Sequence, residues 1–285
     1  MSTVLVTGGT GHLGRDLIPE LQRAGHHVRA LTRRPRQDAE TEWVVGDLGT
    51  GEGLDEAADG VDLVLNAATN SPMAQRGGFS LSDFFRTPSD VDLQGVRRLV
   101  ESAKHTGIRR FLHVSIVDID RANYPYGRVK AAGERLVRES DLDWTVVRAT
   151  PFYYLIAGWL SGLTRVPVWP LPARLPFQPC DTADFATYLA RCVDDGGLGM
   201  RQDFGGPEAL TIGEFARQYQ AARAIKRPIV PLPLGPLAAM LQPMFPTAPQ
   251  GVRGTTTWPV WLNRQSDASP ETSTTAPSHH QARAE

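Results

Sequence analysis

The amino-terminal stretch Val4-Leu5-Val6-Thr7-Gly8-Gly9-Thr10-Gly11-His12-Leu13-Gly14 decides the fold of this 285-residue chain. A short aliphatic, β-branched run that ends at glycines is typical of a buried strand, and the apolar periodicity of residues 13–23 is typical of a helix. Glycines at such a turn permit a tight bend, let backbone N–H groups approach a pyrophosphate, and allow the helix to pack closely on the strand. The stretch therefore predicts a dinucleotide-binding βα unit.

The rest of the first half repeats this alternation of strand and helix. Further strands are predicted at 28–31, 43–45, 61–65, 110–114 and 144–147, and helices at 13–23, 90–105 and 128–139. Strands that alternate with helices indicate right-handed βαβ crossovers and a parallel sheet. The expected fold is α/β, a doubly wound, Rossmann-like parallel sheet with a smaller carboxyl-terminal substrate-binding region.

Three regions follow from the change in pattern along the chain. Residues 1–150 are predicted to form the dinucleotide-binding core, and residues 151–262 a substrate-side region that packs on the core and returns partly to the sheet. Residues 263–285 lack bulky apolar side chains and are predicted to be a disordered tail. Phe152, Tyr153 and Trp159 are expected in a substrate pocket for a small, largely apolar molecule, although hydrophobic core explains such aromatic residues equally well.

Bulk composition excludes several classes of partner. A formal charge of −1 gives no reason to expect nucleic acid or an anionic membrane, and two cysteines favour a reduced, cytoplasmic setting. The chain enters a strand at once, so no signal peptide is expected. Residues 228–252 carry no charge but contain seven prolines, which predict a loop with one short helix at 237–241 instead of a membrane span.

Arginines at the end of the second predicted strand bear on cofactor choice. Arg33 and Arg34 lie there, and no acidic residue occurs between Glu20 and Asp38. An acidic residue at this position would bind the ribose hydroxyls of NAD, whereas arginine accommodates the 2′-phosphate of NADP. The sequence therefore favours NADP(H) over NAD(H); the alternative is a solvated basic turn.

Several motifs together resemble the atypical short-chain dehydrogenase/reductase superfamily, in its NmrA-like NAD(P)H-binding branch, over about residues 3–225. They are the glycine loop, Gly46-Asp47-Leu48, Asn66-Ala67-Ala68, His113-Val114-Ser115 and Tyr126-Gly-Arg-Val-Lys130. The resemblance implies that the cofactor contacts Gly8, Thr10, Gly11, His12, Leu13 and Gly14 in the loop, Asp47 and Leu48 near the adenine, and Asn66, Ala67 and Ala68 along the cleft. The His12 side chain itself is expected to face solvent.

Tyr126 and Lys130 stand four residues apart at the start of a predicted helix and so share one face. A nearby cation favours the phenolate, and Lys130 is therefore expected to lower the pKa of Tyr126 and to orient the cofactor ribose. Ser115 is expected to hydrogen-bond the substrate oxygen while Tyr126 transfers the proton. Tyr124 has the wrong spacing to Lys130, and a Tyr-x-x-x-Lys pattern also arises by chance on helices.

The predicted function is an NADPH-dependent oxidoreductase that reduces a carbonyl or quinone, with no metal. Asp92 occupies a region where the resembling superfamily often has asparagine, which puts a complete proton relay in doubt. Two alternatives stay open. One is a non-catalytic NADP(H)-sensing regulatory protein, because some NmrA-like proteins act as redox sensors, and the other is an NAD(P)-dependent isomerase or epimerase.

Overall fold

A computed structural model describes residues 1–70 and 90–267 and confirms the predicted doubly wound parallel sheet. Among these residues the main sheet has the strand order β13-β10-β6-β5-β4-β1-β2-β3, with β9 also paired to β6, and every pair in it is parallel. Its strands are β1 Thr3–Thr7, β2 His27–Thr32, β3 Glu42–Val45, β4 Leu63–Asn66, β5 Arg110–Ile116, β6 Asp143–Ala149, β9 Gly199–Met200, β10 Phe204–Gly205 and β13 Val252–Arg253. The order reverses beside β1, where such sheets bind ligands at their carboxyl edge.

Helices cover both faces of the sheet. Those of the described residues are α1 His12–Arg23, α2 Leu54–Ala58, α3 Val96–His105, α4 Pro125–Arg138, α5 Tyr153–Gly162, α6 Thr182–Asp195, α7 Ile212–Ala222, α8 Leu237–Leu241 and α9 Trp258–Asp267. One core contains buried residues of α1 and α6, and a second contains buried residues of α2, α3 and α4. The two cores lie on opposite faces because successive strand residues point to opposite sides.

Two helix starts differ from the sequence prediction. Helix α4 begins at Pro125 instead of residue 128, since proline at the first helical position has no N–H to leave unsatisfied. The predicted helix 90–105 is divided: a π-helical turn, Asp90–Gly95, precedes α3. That wider turn contains the buried side chain of Asp92, and π-helical turns often mark functional sites.

A smaller lobe forms from the second half of the chain around a third hydrophobic core. Strand β7 Trp169–Leu171 pairs with β12 Ile229–Pro231, and β8 Pro176–Phe177 pairs with β11 Leu210–Thr211. The core contains fully buried Trp169 and Trp258. Strands β10 and β13, which come from the second half of the chain, pair in the main sheet. The lobe is therefore connected to the dinucleotide core through the strands of that sheet.

The predicted boundary of a disordered tail at Asn263 is wrong. Helix α9 continues to Asp267, and Arg264 Nη1 lies 3.4 Å from Asp181 Oδ2 at the start of α6. Buried Leu262 in the third core holds the preceding turn, so the helix is extended by packing that the local sequence does not reveal. The rest of the predicted tail, residues 268–285, lies outside the described residues. Across 1–70 and 90–267, no helix is long and apolar enough to cross a membrane.

Both cysteines are buried and neither forms a disulfide. Cys180 packs in the first core, and its Sγ donates a hydrogen bond to the Thr150 carbonyl oxygen at 3.4 Å. Cys192 lies in α6 within the same core. Burial raises the pKa of both thiols, which keeps them protonated.

A buried ion pair fixes the segment between Ser115 and Tyr126. Arg148 of β6 donates two hydrogen bonds to Glu134 of α4, Nε to Oε2 at 3.0 Å and Nη2 to Oε1 at 2.6 Å. The same guanidinium lies 2.8 Å from Asp120 Oδ2 in the loop after β5. Arg148 therefore holds the loop between two candidate catalytic residues against helix α4.

Removal of one partner from this pair should destabilise the fold. We expect Arg148→Met to lower the free energy of unfolding by about 3 kcal/mol, because the buried Glu134 carboxylate loses both hydrogen bonds and keeps only Arg138 Nη1, 3.5 Å from its Oε1, as a partner. Urea denaturation followed by circular dichroism measures the change.

The double variant Glu134→Leu/Arg148→Met is the matched control, since it removes both charges and keeps apolar volume. It should recover most of the lost stability. A single Arg148→Met variant as stable as the natural protein would contradict the assigned role.

Candidate active site

The glycine loop connects β1 to α1 at the carboxyl edge of the sheet. Gly8 has a φ of +77°, and the Gly11 N–H donates to the Gly8 carbonyl oxygen at 2.9 Å, which closes the turn. Helix α1 begins at His12, so its first-turn N–H groups have no acceptor within the helix. They point in the direction from which a phosphate group binds most favourably.

Two glycines of the loop are required by close contacts. A Cβ on Gly8 would lie 2.8 Å from the Ala67 carbonyl oxygen, and one on Gly14 would lie 2.3 Å from the Gly8 carbonyl oxygen. The first contact brings the loop against Ala67 and Ala68 after β4, and the second packs α1 on the turn. The structure thus brings together two segments that the sequence placed at the same cofactor.

A row of side-chain hydrogen bonds crosses β1, β4 and β5 beneath the loop. Thr7 Oγ1 donates to Asn66 Oδ1 at 2.6 Å, and Asn66 Nδ2 lies 3.1 Å from His113 Nδ1. The Ala68 N–H also donates to Asn66 Oδ1, at 3.3 Å. The Asn66 side chain, predicted to line the cofactor cleft, is therefore buried and holds the cleft wall from behind.

His113 is neutral in this row. Burial, followed by the charge of Lys130, lowers the pKa of the imidazole well below its usual value. Because Nδ1 accepts from Asn66, the proton is assigned to Nε2. That atom has no hydrogen-bond partner among the described residues.

The predicted adenine-side residues surround the ends of β2 and β3. Arg33 and Arg34 follow β2 and are exposed, and the Arg34 N–H donates to Thr32 Oγ1 at 3.3 Å. Asp47 Oδ1 accepts from the Gly49 N–H at 2.7 Å, while Leu48 is buried in the second core. The Asp47 carboxylate thus shapes its own turn, and the two arginines remain accessible.

Four side chains form a connected chain at the candidate catalytic centre. Tyr126 Oη lies 2.8 Å from Thr69 Oγ1, which donates to Asp92 Oδ1 at 2.8 Å. Lys130 Nζ lies 3.4 Å from the same Asp92 oxygen and donates to the Val114 carbonyl oxygen at 3.3 Å. The structure therefore connects Tyr126 to Lys130 through Thr69 and Asp92, beside the strand that carries Ser115.

The expected effect of Lys130 on Tyr126 is not what the structure shows. Burial, and then the negative charge of Asp92, raises the pKa of Tyr126 well above its usual value. The buried ammonium group of Lys130 is instead paired with Asp92, so its charge is compensated before it can stabilise a phenolate. Tyr126 is held here as a neutral phenol, the form that donates a proton.

Sequence reasoning missed Thr69, and it treated Asp92 only as a departure from the family pattern. Thr69 follows Asn66-Ala67-Ala68 as a single hydroxyl residue, and no spacing distinguishes it from an ordinary loop residue. Asp92 Oδ2 also accepts the Asn70 N–H at 2.8 Å. Asp92 thus fixes both the loop after β4 and Lys130, a role that only its position in the π-helical turn reveals.

Ser115 lies at the end of β5 with its side chain on the same face as His113. The Ser115 Oγ is buried and has no hydrogen-bond partner in the part of the chain that the structure describes. A buried hydroxyl without a partner is costly, which fits a group that hydrogen-bonds a ligand. Ser115 follows Val114, whose carbonyl oxygen accepts the hydrogen bond from Lys130, so α4 packs against β5 next to this residue.

The three predicted pocket aromatics all pack on hydrophobic cores, and Tyr153 also lines a cavity. Tyr153 is buried among Trp258 and Trp261, with its Oη donating to the Thr256 carbonyl oxygen at 3.0 Å. Trp159 packs on Phe245 within the third core. Phe152 is only partly buried and packs against the first core, near the loop.

Tyr154 is the aromatic residue that contacts the glycine loop. Its ring stacks on His12, with centroids 3.9 Å apart. The His12 residue is exposed overall, as predicted, but partial desolvation of its ring, followed by the charge of Arg15, lowers its pKa. A cavity of about 340 Å³ opens here, lined by His12, Arg15, Asp16, Tyr153, Tyr154, Asp181, Thr182, Ala183, Trp261, Arg264 and Gln265.

These features define a dinucleotide-binding site of the Rossmann type. The glycines let the loop lie directly against Ala67 and Ala68, and the nearby strand β5 holds two buried polar atoms without a partner among the described residues, Ser115 Oγ and His113 Nε2. The residues present therefore fit a nicotinamide dinucleotide. No group of three or more potential metal ligands occurs among the described residues.

Comparison with known proteins agrees with this class, and residues 8–154 match an NAD(P)H-binding family model. The chain is 30% identical over 234 residues to a (4-alkanoyl-5-oxo-2,5-dihydrofuran-3-yl)methyl phosphate reductase of Streptomyces griseus, covering 79% of this chain and 75% of the reductase. It is 29% identical over 199 residues to the photosystem II assembly factor Ycf39 of Cyanophora paradoxa, covering 67% of this chain. The chain spans only 59% of that assembly factor.

Among solved structures, an NADPH-dependent quinone oxidoreductase of Escherichia coli, complexed with NADPH, superposes with a TM-score of 0.70. The match covers 92% of this chain and 99% of the oxidoreductase at 18% identity, which shows the shared fold. The chain belongs to the NAD(P)H-binding family. The family model thus confirms the NAD(P)H-binding character that the resemblance implied, and the solved structure confirms the fold.

The close contact at Gly8 gives a direct test of the binding site. We expect Gly8→Ala to weaken dinucleotide binding by about tenfold or more, because a Cβ would collide with the Ala67 carbonyl and displace the loop. Quenching of intrinsic fluorescence during titration with NADPH and NADH measures the affinity.

Gly25→Ala is the matched control. Gly25 also has a positive φ, +86°, but its Cβ would meet no atom within 4 Å. Both variants carry the backbone strain of about 1 kcal/mol, so only Gly8→Ala should lose affinity. Equal affinities of the two variants would show that the loop does not bind the dinucleotide.

Proposed function

We propose that this protein is an NADPH-dependent oxidoreductase that reduces a carbonyl or quinone group of a small, largely apolar molecule. The observation that carries the proposal is the contact chain from Tyr126 through Thr69 and Asp92 to Lys130, beside Ser115 and the glycine loop. A proton donor, a buried cation and a dinucleotide loop meet at one edge of the sheet. This combination supports transfer of a hydride and a proton to one substrate.

A bound nicotinamide would supply the hydride to the carbonyl carbon. Tyr126 donates its phenolic proton to the carbonyl oxygen as the C=O double bond becomes a C–O single bond, and Ser115 donates a hydrogen bond to that oxygen. The raised pKa of Tyr126 keeps the proton on the phenol until the oxygen gains charge. Water then reprotonates the phenolate through the exposed hydroxyl of Thr69, which gives its proton to the phenolate and takes one from water, while Lys130 compensates the charge of Asp92.

The preference for NADPH rests on charge at the end of β2. Arg33 and Arg34 are exposed immediately after the strand, at the place where a 2′-phosphate would lie. Phosphate binds arginine through charge-assisted hydrogen bonds, whereas the ribose hydroxyl of NADH offers no charge. The apolar character of the substrate is supported by Phe152 and Tyr154 near the loop.

Cofactor choice can be tested without a substrate. We expect NADPH to bind more tightly than NADH, and Arg33→Ala/Arg34→Ala to remove most of that preference by weakening NADPH alone, by about tenfold. Isothermal titration of both nucleotides measures the two affinities. Arg97→Ala/Arg191→Ala removes two exposed arginines from outer helices and should change neither affinity; equal affinities of the natural protein for both nucleotides would refute the assignment.

The proton donor can be tested with a ketone or aldehyde that the natural protein reduces. Tyr126→Phe removes only the hydroxyl, so turnover should fall by about 100-fold or more while NADPH affinity stays within about twofold. Consumption of NADPH followed at 340 nm measures the rate. Thr69→Val should also slow turnover, and Thr69→Ser, which keeps the hydroxyl, should not.

Tyr124→Phe is the matched control, because Tyr124 is a partly buried phenol two residues earlier that lies outside the contact chain. It should leave turnover unchanged. A Tyr126→Phe variant with full activity on a carbonyl would disprove the proton-donor role. If the natural protein binds NADPH but turns over no member of a carbonyl and quinone panel, the sensing alternative replaces catalysis.

A further inference from the structure

The smaller lobe exposes several large apolar side chains on or near the paired strands β7 and β12 and on helix α8, which follows β12. They are six side chains that are each more than a third exposed: Val166, Val168, Val230, Leu232, Leu237 and Met240. Exposed patches of this kind on soluble proteins usually mark an interaction site. We call this set the apolar surface.

Strand pairing places part of this set on one face. In the parallel β7–β12 pair, Val230 is opposite Pro170, and the Trp169 N–H donates to the Pro228 carbonyl oxygen at 2.9 Å. Trp169 and Leu171 point into the third core, so the alternate residues on β7 point outward. Val168 and Val230 therefore lie on the outer face of the two-stranded sheet.

Helix α8 begins after a connection of five residues from β12 and contributes the last two members of the set. Ala238 and Leu241 pack toward the third core, whereas Leu237 and Met240 are 43% and 53% exposed. Residues three apart on a helix lie on the same side. The exposed side of α8 is therefore apolar, in a stretch, 228–252, that carries no charged residue.

Cations border this surface. Arg165 precedes β7, and Lys226 and Arg227 precede β12; all three are exposed. Because the two strands are parallel, their preceding segments lie at the same end of the sheet. Arg174, also exposed, follows β7 at the other end.

The charge distribution of the chain is strongly uneven, although its total is −1. Residues 151–180 and 215–265, which contain the apolar surface, include eight lysines and arginines and no aspartate or glutamate, which leaves a net charge of −9 on the remainder. A second copy of the chain would bring like charges together at this surface. An anionic bilayer attracts the cations and accepts apolar side chains without a complementary shape.

We propose that the apolar surface and its bordering cations dock this protein peripherally on an anionic membrane surface. The overall charge of −1 averages over the whole chain and hides the local excess of cations. The finding that no described helix could span a membrane concerns only long apolar helices and does not bear on a surface contact. The docking requires no cofactor or turnover. It is therefore independent of the proposed function, and failure of one does not bear on the other.

Sedimentation of the full chain with vesicles tests the proposal. One set contains phosphatidylcholine and phosphatidylglycerol in equal amounts, and the other contains phosphatidylcholine alone. We expect binding to the anionic vesicles, at least tenfold weaker binding to the zwitterionic ones, and loss of binding as salt screens the charges. Equal binding to both vesicle types, or to neither, would overturn the proposal.

Two pairs of variants separate the contribution of the apolar side chains to vesicle binding from that of the cations. Leu237→Glu/Met240→Glu should abolish vesicle binding, whereas Leu198→Glu, at a 58% exposed residue beside β9, should not. Lys226→Gln/Arg227→Gln should weaken binding by about tenfold, whereas Arg97→Gln/Arg191→Gln should not. Unchanged melting temperature and NADPH affinity verify that each variant is folded.

Other partners of the apolar surface would give different results. If Leu237→Glu/Met240→Glu converts a dimer to a monomer in sedimentation velocity and the natural protein binds no vesicles, the surface joins two copies and the proposal is wrong. Vesicle binding that survives both surface variants would place the contact elsewhere and overturn it as well.

Discussion

The hydrogen bonds from Thr7 through Asn66 to His113 fix the ends of β1 and β4 against the middle of β5, and the candidate site is built on this alignment. Asn66 uses its oxygen toward β1 and its nitrogen toward β5, so neither strand can shift along β4 without leaving a buried amide unpaired. Such a loss costs about 1–3 kcal/mol for each group. The glycine loop follows Thr7, Ala67 follows Asn66, and Ser115 lies two residues after His113 on β5, so their mutual positions depend on these hydrogen bonds.

Most of the sheet could be predicted because its signals are local. The β-branched runs and the glycine loop are contiguous in sequence. The helical pattern also predicted α4, and only its first residue differs, because the helix begins at Pro125. Directions of individual side chains could not be predicted in the same way. Phe152, Tyr153 and Tyr154 are adjacent aromatic residues, and only the packing of Tyr153 against Trp258 and Trp261 decides that Tyr154 contacts the loop.

The contacts of the candidate catalytic centre could also be predicted only in part from the sequence. Spacing on one helix correctly placed Tyr126 and Lys130 on the same element, but the partner of Lys130 is Asp92, which comes from a different helix. A carboxylate with two acceptor oxygens can bind Thr69, the Asn70 N–H and the ammonium group together. Local periodicity contains no information on such a contact, and the end of α9 was missed for the same reason, because its ion pair reaches back to Asp181.

The two buried thiols limit how this protein can respond to its chemical surroundings. Peroxides and disulfides react with the thiolate, and both cysteines are held as protonated groups inside the first core. Oxidants in solution therefore have no ready target in Cys180 or Cys192 while the fold is intact. In the intact fold, oxidation should therefore fall first on exposed methionines such as Met200 and Met240, which are 41% and 53% exposed, and should leave both thiols unchanged.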